Sequence, residues 1–537
     1  MRNRRICSRV FSLDVELSRC GRQTMDAQTG QGRDVRFVLA GYDCEVVRRS
    51  EALEGGTAFL ATAVAGLLLV VPLSYGRTCL CTPYQVNRLV LSVPREATIG
   101  VLVAAVTAVV AVSLARSRTA WWIALGATLL LLITHTIEAH SASPDILTTA
   151  AYLDAIGSGI LLGATGVAVL GRRIPATGFV LGGVGGFVVI TLSQASGLLG
   201  NPHRATSEPH VWSVFGTQPL WLLAAVVVLI LACQLVTRER FAPEPIYPEL
   251  PLSPVIAAIV LVMTELAVAQ WRFRHDDGGV ELLVTALCTL LAATVAAWLL
   301  PRRDGIAIYL AVALSATGSA VGNGPRPAWS VPLLLGLIVL GYLAGTRTWN
   351  RPSGTRSSKP PARSRLPNPL VGVGLLAAVA LFAATAPADG VRNFTTAALA
   401  VAAGYCAAFI RPRTAGSILA IAVLWRPSTV APIRTESFDW TMVPPRYLGD
   451  WGPLTVVSGS GWAAFAIVVG CAIGLVIRAV PRKAPARITV LRPQRRYGLI
   501  NGQVIPKRWQ RLEPSSPNRV ARRTLWVARK HGGHNVS

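Results

Sequence analysis

Charge is scarce in this chain, and acid is the scarcer sign. Of 537 residues only 15% are Asp, Glu, Lys or Arg, and 26 acids stand against 52 bases, while 52% of the chain is hydrophobic. Soluble domains carry charge on roughly a quarter of their residues, so an ordinary soluble enzyme is excluded. No phosphate-binding glycine loop occurs. No long apolar run precedes residue 57, so no cleavable signal sequence is expected and the first apolar segment acts as the insertion signal.

Metal ligation and disulfide chemistry are also thinly provided for. Cys233, Cys288, Cys406 and Cys471 lie in apolar runs, where a thiol behaves as a small apolar group. Cys79 and Cys81 in RTCLCTPY are one residue apart, a spacing that rarely closes a relaxed disulfide. THTIEAHS offers His135, Glu138 and His140, but the inverted zinc signature H-x-x-E-H needs its acid and second histidine adjacent. Here Ala139 intervenes and turns His140 off the shared face. No metal and no cofactor is therefore expected. The cluster reads either as a polar helix end at the membrane interface or as a pH-sensitive outer gate.

What the chain does have is apolar blocks of membrane-crossing length, since a helix rising 1.5 Å per residue needs about 20 residues to cross roughly 30 Å of hydrocarbon. Fourteen such blocks are legible, near 57–75, 98–115, 119–137, 147–170, 176–199, 217–237, 253–271, 280–300, 305–322, 329–345, 369–386, 393–410, 413–425 and 457–479. The thirteenth is short. With both termini cytoplasmic, 41 of the 52 basic residues fall on the inner side, as the retention of basic segments during insertion requires. Every inner connection is then basic, from SLARSRT and GRRIP to the long TRTWNRPSGTRSSKPPARSR.

That topology accounts for most of the +26 net charge, so nucleic acid is not an expected partner. The tail from Arg482 onward holds 14 Arg and Lys against Glu513, with Trp509 and Trp526 interleaved, which suits anionic lipid headgroups on the inner leaflet. Within it, YGLINGQVIP places Asn501-Gly502 between short β-prone runs and predicts a hairpin. Arginine-rich, lysine-poor usage points to a bacterial plasma (inner) membrane.

One acid sits where acid is expensive. Asp154, in TTAAYLDAIGSGILL, lies about seven residues or roughly 10 Å below the outer surface. Its carboxylate must meet the bundle interior, a water-filled cavity or a donor. Two roles are open to it: a carboxyl satisfied by its neighbours, or a proton- or cation-coupling group in a cavity between bundles. Glu265, near mid-span in VIAAIVLVMTELAVAQWRF, is the second such group.

The order of features over residues 98–240 resembles the major facilitator superfamily, specifically its fourteen-span drug/proton antiporter-like branch. The span-four piece carries the resemblance: Tyr152-Leu153-Asp154-Ala155-Ile156-Gly157-Ser158-Gly159 keeps the glycine spacing of the family's R-x-x-Q-G-x-G, with Tyr152 in the arginine's place and Asp154 at or beside the glutamine. Span five adds Gly178, Gly182 and Gly186, every fourth residue on one helix face, where they are expected to meet a helix of the second bundle. Gly171, in the turn before it, is expected to tolerate bulk. WSVFGTQPLWLL resembles the entry into span six.

The resemblance implies an all-α polytopic membrane protein with about 14 transmembrane helices in a six-plus-two-plus-six arrangement: residues 1–56 a cytoplasmic segment, 57–240 the first six-helix bundle, 241–301 two extra helices, 302–480 the second bundle, 481–537 the basic tail. Glu265 falls on an extra helix, where it bonds a neighbouring helix or a small partner subunit. Tyr152, Asp154 and Glu265 are the transport candidates, acting on an unknown small molecule. The turn ARSRTAWW keeps Arg116 and Arg118 but lacks the family's acid, which leaves a non-transporting scaffold open. So does a transferase acting on lipid-linked glycans, for the outer segment 426–456 groups Arg434, Glu436, Asp439 and Arg446 among aromatic residues.

Overall fold

Fourteen α-helices make up the first compact unit, residues 1–480, of the computed structural model. The structure describes residues 33–70, 83–114, 117–139, 144–193, 220–236, 252–272, 279–321, 329–350, 368–385, 389–410, 414–425, 458–479, 497–500 and 503–506. The helices are α1 (Arg33–Val70), α2 (Pro83–Ser113), α3 (Ser117–Ala139), α4 (Pro144–Ala168), α5 (Arg173–Ser193), α6 (Leu220–Val236), α7 (Ser253–Arg272), α8 (Gly279–Leu299), α9 (Arg302–Val321), α10 (Ser330–Asn350), α11 (Asn368–Thr385), α12 (Asp389–Ala407), α13 (Ala415–Leu424) and α14 (Ser458–Ala479).

Each expected block coincides with one helix, because a backbone in hydrocarbon must satisfy its N–H and C=O groups within its own segment. Among the described residues nine helices are long and apolar enough to cross a membrane; α5, α6, α11 and α13 have shorter apolar stretches. The remaining one, α12, carries Arg392, Asn393, Thr395 and Thr396 in its first half. Two span limits differ from the sequence reading. α1 begins at Arg33 and its apolar span at Arg49 rather than at 57, because Glu54, whose charge ends the apolar window, is buried and paired with Arg172. The apolar span of α2 begins at Arg95.

The packing repeats with a period of eight helices. In the first half α1 packs on α4, α5 and α6, α2 packs on α4, and α3 packs on α4 and α6. The second half makes the same pairings: α9 with α12, α13 and α14, α10 with α12, and α11 with α12 and α14. Contacts between the halves obey the same exchange, α2 on α13 and α10 on α5. Only α7 and α8 lack counterparts; they pack on each other, α7 against α2 and α8 against α9 and α14. The arrangement is six plus two plus six.

Small residues bring the parallel neighbours together. A Cβ at Gly178 would strike the Gly55 carbonyl oxygen and one at Gly182 that of Phe59, while a Cβ at Gly186 would stand 3.2 Å from Ala63 Cα. α1 and α5 therefore run side by side in constant register. Gly159 and Gly163 of α4 meet the Gly100 and Ala104 carbonyls of α2 in the same way, and Gly341 and Gly404 serve the α10–α12 pair. Helices gain nothing from hiding apolar surface among lipid tails, so close backbone approach through every fourth residue supplies the association.

The outward surface is that of a molecule in lipid: Val228, Leu291 and Leu340 are 64%, 66% and 61% exposed. Exposed tryptophans sit near helix ends, Trp122 on α3, Trp221 on α6, Trp298 on α8 and Trp462 on α14, the depth at which indole rings settle in the headgroup region. The second compact unit, residues 481–537, holds the hairpin expected around Asn501-Gly502: β1 (Tyr497–Ile500) pairs antiparallel with β2 (Gln503–Pro506), Ile500 opposite Gln503.

Candidate functional site

The α3–α4 hairpin holds the first buried pair. These helices run antiparallel, and Leu131 fills the space at Gly157, where a Cβ would stand 2.8 Å from its Cδ2. One turn nearer the connection, His135 Nε2 lies 3.5 Å from Asp154 Oδ2, the side chains 0% and 2% exposed. Charges this deep cost several kcal/mol each unless paired. The α2–α4 register that joins Gly100 to Gly159 sets Glu96, also buried, at the level of Ala155. Three titratable side chains thus share one level of the first half.

Asp154 does not face the second half, as its place in span four suggested; its carboxylate turns to α3 within its own half. The α4 residue that meets the second half is Gly166, whose Cβ would stand 2.9 Å from Ile418 of α13.

A second set of buried acids ties each half to its own turn. Glu54 on α1, 1% exposed, receives Arg172 Nη1 from the α4–α5 turn. Gly171 makes that turn with φ 80°, a left-handed conformation that strains any other side chain, so bulk is not tolerated there as the sequence suggested. Thr57, one turn along, lies with its Oγ1 3.2 Å from Cys233 Sγ of α6. Eight helices later the plan recurs: Asp304 on α9 accepts a 2.5 Å hydrogen bond from the Thr414 hydroxyl, in the turn before α13. The first half uses a cation where the second uses a neutral donor.

The halves meet along α5 and α13. Thr177 Oγ1 and Tyr342 OH are 3.0 Å apart, and Cβ atoms at Gly183 and Gly185 would stand 2.6 Å from Ile421 and 3.0 Å from Leu335. Trp425, fully buried at the end of α13, covers Gly66 and Gly186, with Phe187 edge-on at 6.2 Å. Its indole Nε1 has no hydrogen-bond partner among the described residues. The glycine expectation is therefore corrected in part: Gly178 and Gly182 contact α1 of their own half, and contact with the second half passes to Gly183, Gly185 and Gly186.

The other sequence candidates fall apart from this set. Tyr152 is half-buried one turn from the pair. Glu265, 4% exposed, shares with Arg272 the buried stripe of α7, the helix that packs on α2 and α8. Arg434, Glu436, Asp439 and Arg446, together with Cys79, Cys81 and His140, lie outside the described residues. No cluster of metal-ligating side chains occurs among the described residues. Sequence reasoning weighed His135 without its partner, although folding the α3–α4 hairpin about residues 140–143 brings 135 and 154 to similar depth. Glu54 went unnoticed because it bordered an apolar run.

No family model matches the sequence, and no curated protein matches it. Among solved structures the chain is similar to the fucose:proton symporter of E. coli, with 11% identity and a TM-score of 0.39 over 81% of this chain and 99% of the symporter.

Proposed function

We propose that this multi-pass membrane protein is a divergent major-facilitator-like permease, a secondary transporter of a small molecule. The observation that carries the proposal is the repeated packing of α1–α6 and α9–α14 with α7 and α8 set aside. Paired halves of one hand that meet through few helices are the architecture of rocking-bundle carriers, in which a site between them opens to alternate sides. Both termini are placed in the cytoplasm by the basic asymmetry, and the basic tail is placed against anionic headgroups.

Reporter fusions test the orientation. Alkaline phosphatase joined after Pro144 should be active and after Arg173 or Lys359 inactive; the reverse pattern would sink the arrangement. Transport itself is tested in proteoliposomes with an internal pH dye and a panel of candidate compounds. At least one should drive proton movement, and a short bis-thiol cross-linker joining Thr177→Cys to Tyr342→Cys across the halves should arrest it by more than about tenfold, because rocking must part the 3.0 Å contact. Flux unaffected by complete cross-linking would refute rocking at this interface.

A further inference from the structure

We infer that His135 and Asp154 jointly hold an exchangeable proton, at a site enclosed within the first six-helix half and not between the halves. The transporter reading above gives that proton its purpose; the chemistry of the site does not depend on it.

The two side chains are on different helices, 0% and 2% exposed, with 3.5 Å between Nε2 and Oδ2. Leu131 against Gly157, one turn away, fixes the spacing of the helices that carry them. With Asp154 ionised and His135 neutral the pair bears one negative charge in a hydrocarbon setting. A proton from water that forms an N–H bond on the imidazole converts it to an imidazolium facing the carboxylate, with no net charge; on release that bond breaks and the proton returns to water. The two states differ by a whole charge where solvent cannot screen it. Such a difference shifts the balance between two packings of α3 on α4.

Few other groups compete with the pair. On α2, Glu96 lies at the same level. Glu54 of α1 is occupied by Arg172 at the α4–α5 turn, some 14 residues or roughly 20 Å along α4 from Asp154. α5 contributes Arg173, exposed, at its start, α6 contributes Cys233, beside Thr57, and α13 contributes no titratable residue. On their own helices the nearest is Tyr152. The link onward is α4 itself, whose Gly159 and Gly163 lie on α2 and whose Gly166 meets Ile418 of the second half. A shift of α4 on α3 is therefore felt across the interface.

The test needs no substrate. The full-length protein in nanodiscs is stepped between about pH 5 and 8, proton uptake is read with an indicator dye, and the carboxyl stretch is followed by infrared difference spectroscopy. Asp154→Asn and His135→Gln should each take up about one proton fewer than the parent, and the exchanged pair His135→Asp with Asp154→His should restore it. Glu265→Gln should keep the His135–Asp154 step. Monodispersity on size exclusion certifies each variant, and the exchanged pair guards against loss of fold in the single ones. An Asp154→Asn protein with an unchanged proton count and carboxyl signal overturns the inference. A proton step that persists in a protein moving none of the compounds would uphold this site and dismiss the transporter proposal.

Discussion

Gly182→Leu should abolish recovery of folded protein, while Gly374→Leu should leave it near the parent level. A Cβ at 182 would already overlap the Phe59 carbonyl oxygen, an atom of a helix backbone that cannot step aside without carrying α1 with it. Overpacking a well-filled contact costs roughly 3 kcal/mol or more, and the Gly178 and Gly186 contacts in the same register would be pried open too. Gly374 on α11 has nothing within 4 Å of its Cβ position, so a leucine there adds one more apolar group to a lipid-facing surface. Fluorescence size exclusion of tagged protein measures both. Equal yields would mean that α5 does not lie on α1 as described.

Arg172→Met should be the most damaging change among the charged residues. Glu54 is 1% exposed, and its other oxygen, Oε1, has no partner among the described residues, so its carboxylate depends on the one guanidinium. Stripping a buried ion of its partner costs about 3–5 kcal/mol. Glu54→Gln in the same chain should return much of that loss, because an amide is far cheaper to bury than a charge. At the related position of the second half, Thr414→Val removes a neutral donor from Asp304 and should cost about 1–3 kcal/mol. Thermal unfolding of the four variants gives the order. Should Arg172→Met be no worse than Thr414→Val, then Glu54 is satisfied some other way.

The sequence by itself determined the class and the elements. Hydrocarbon leaves a backbone one economical solution, so each apolar block had to become a helix, and the one block too short for a span became the ten-residue α13. The Asn501-Gly502 hairpin was equally local, since the turn needs residues that accept positive φ. The glycine stripe of α5 announced close approach for the same reason: only missing side chains permit it.

Partners were a different matter. A helix stripe has a direction but no address, and whether Gly182 meets α1 or the second half depends on how α5 is rotated in the bundle, which the packing of all its neighbours sets together. The same holds for charge. A window of hydropathy reads Glu54 as the edge of the membrane and Asp154 as an anomaly inside it, because it sums residues along one segment, whereas the cost of a buried carboxylate is settled by whatever lies across from it. Arg172 arrives there 118 residues later and His135 from the preceding helix. Only the tertiary structure could supply those partners, since electrostatic satisfaction in a low-dielectric interior is a property of distances between segments and not of any one segment.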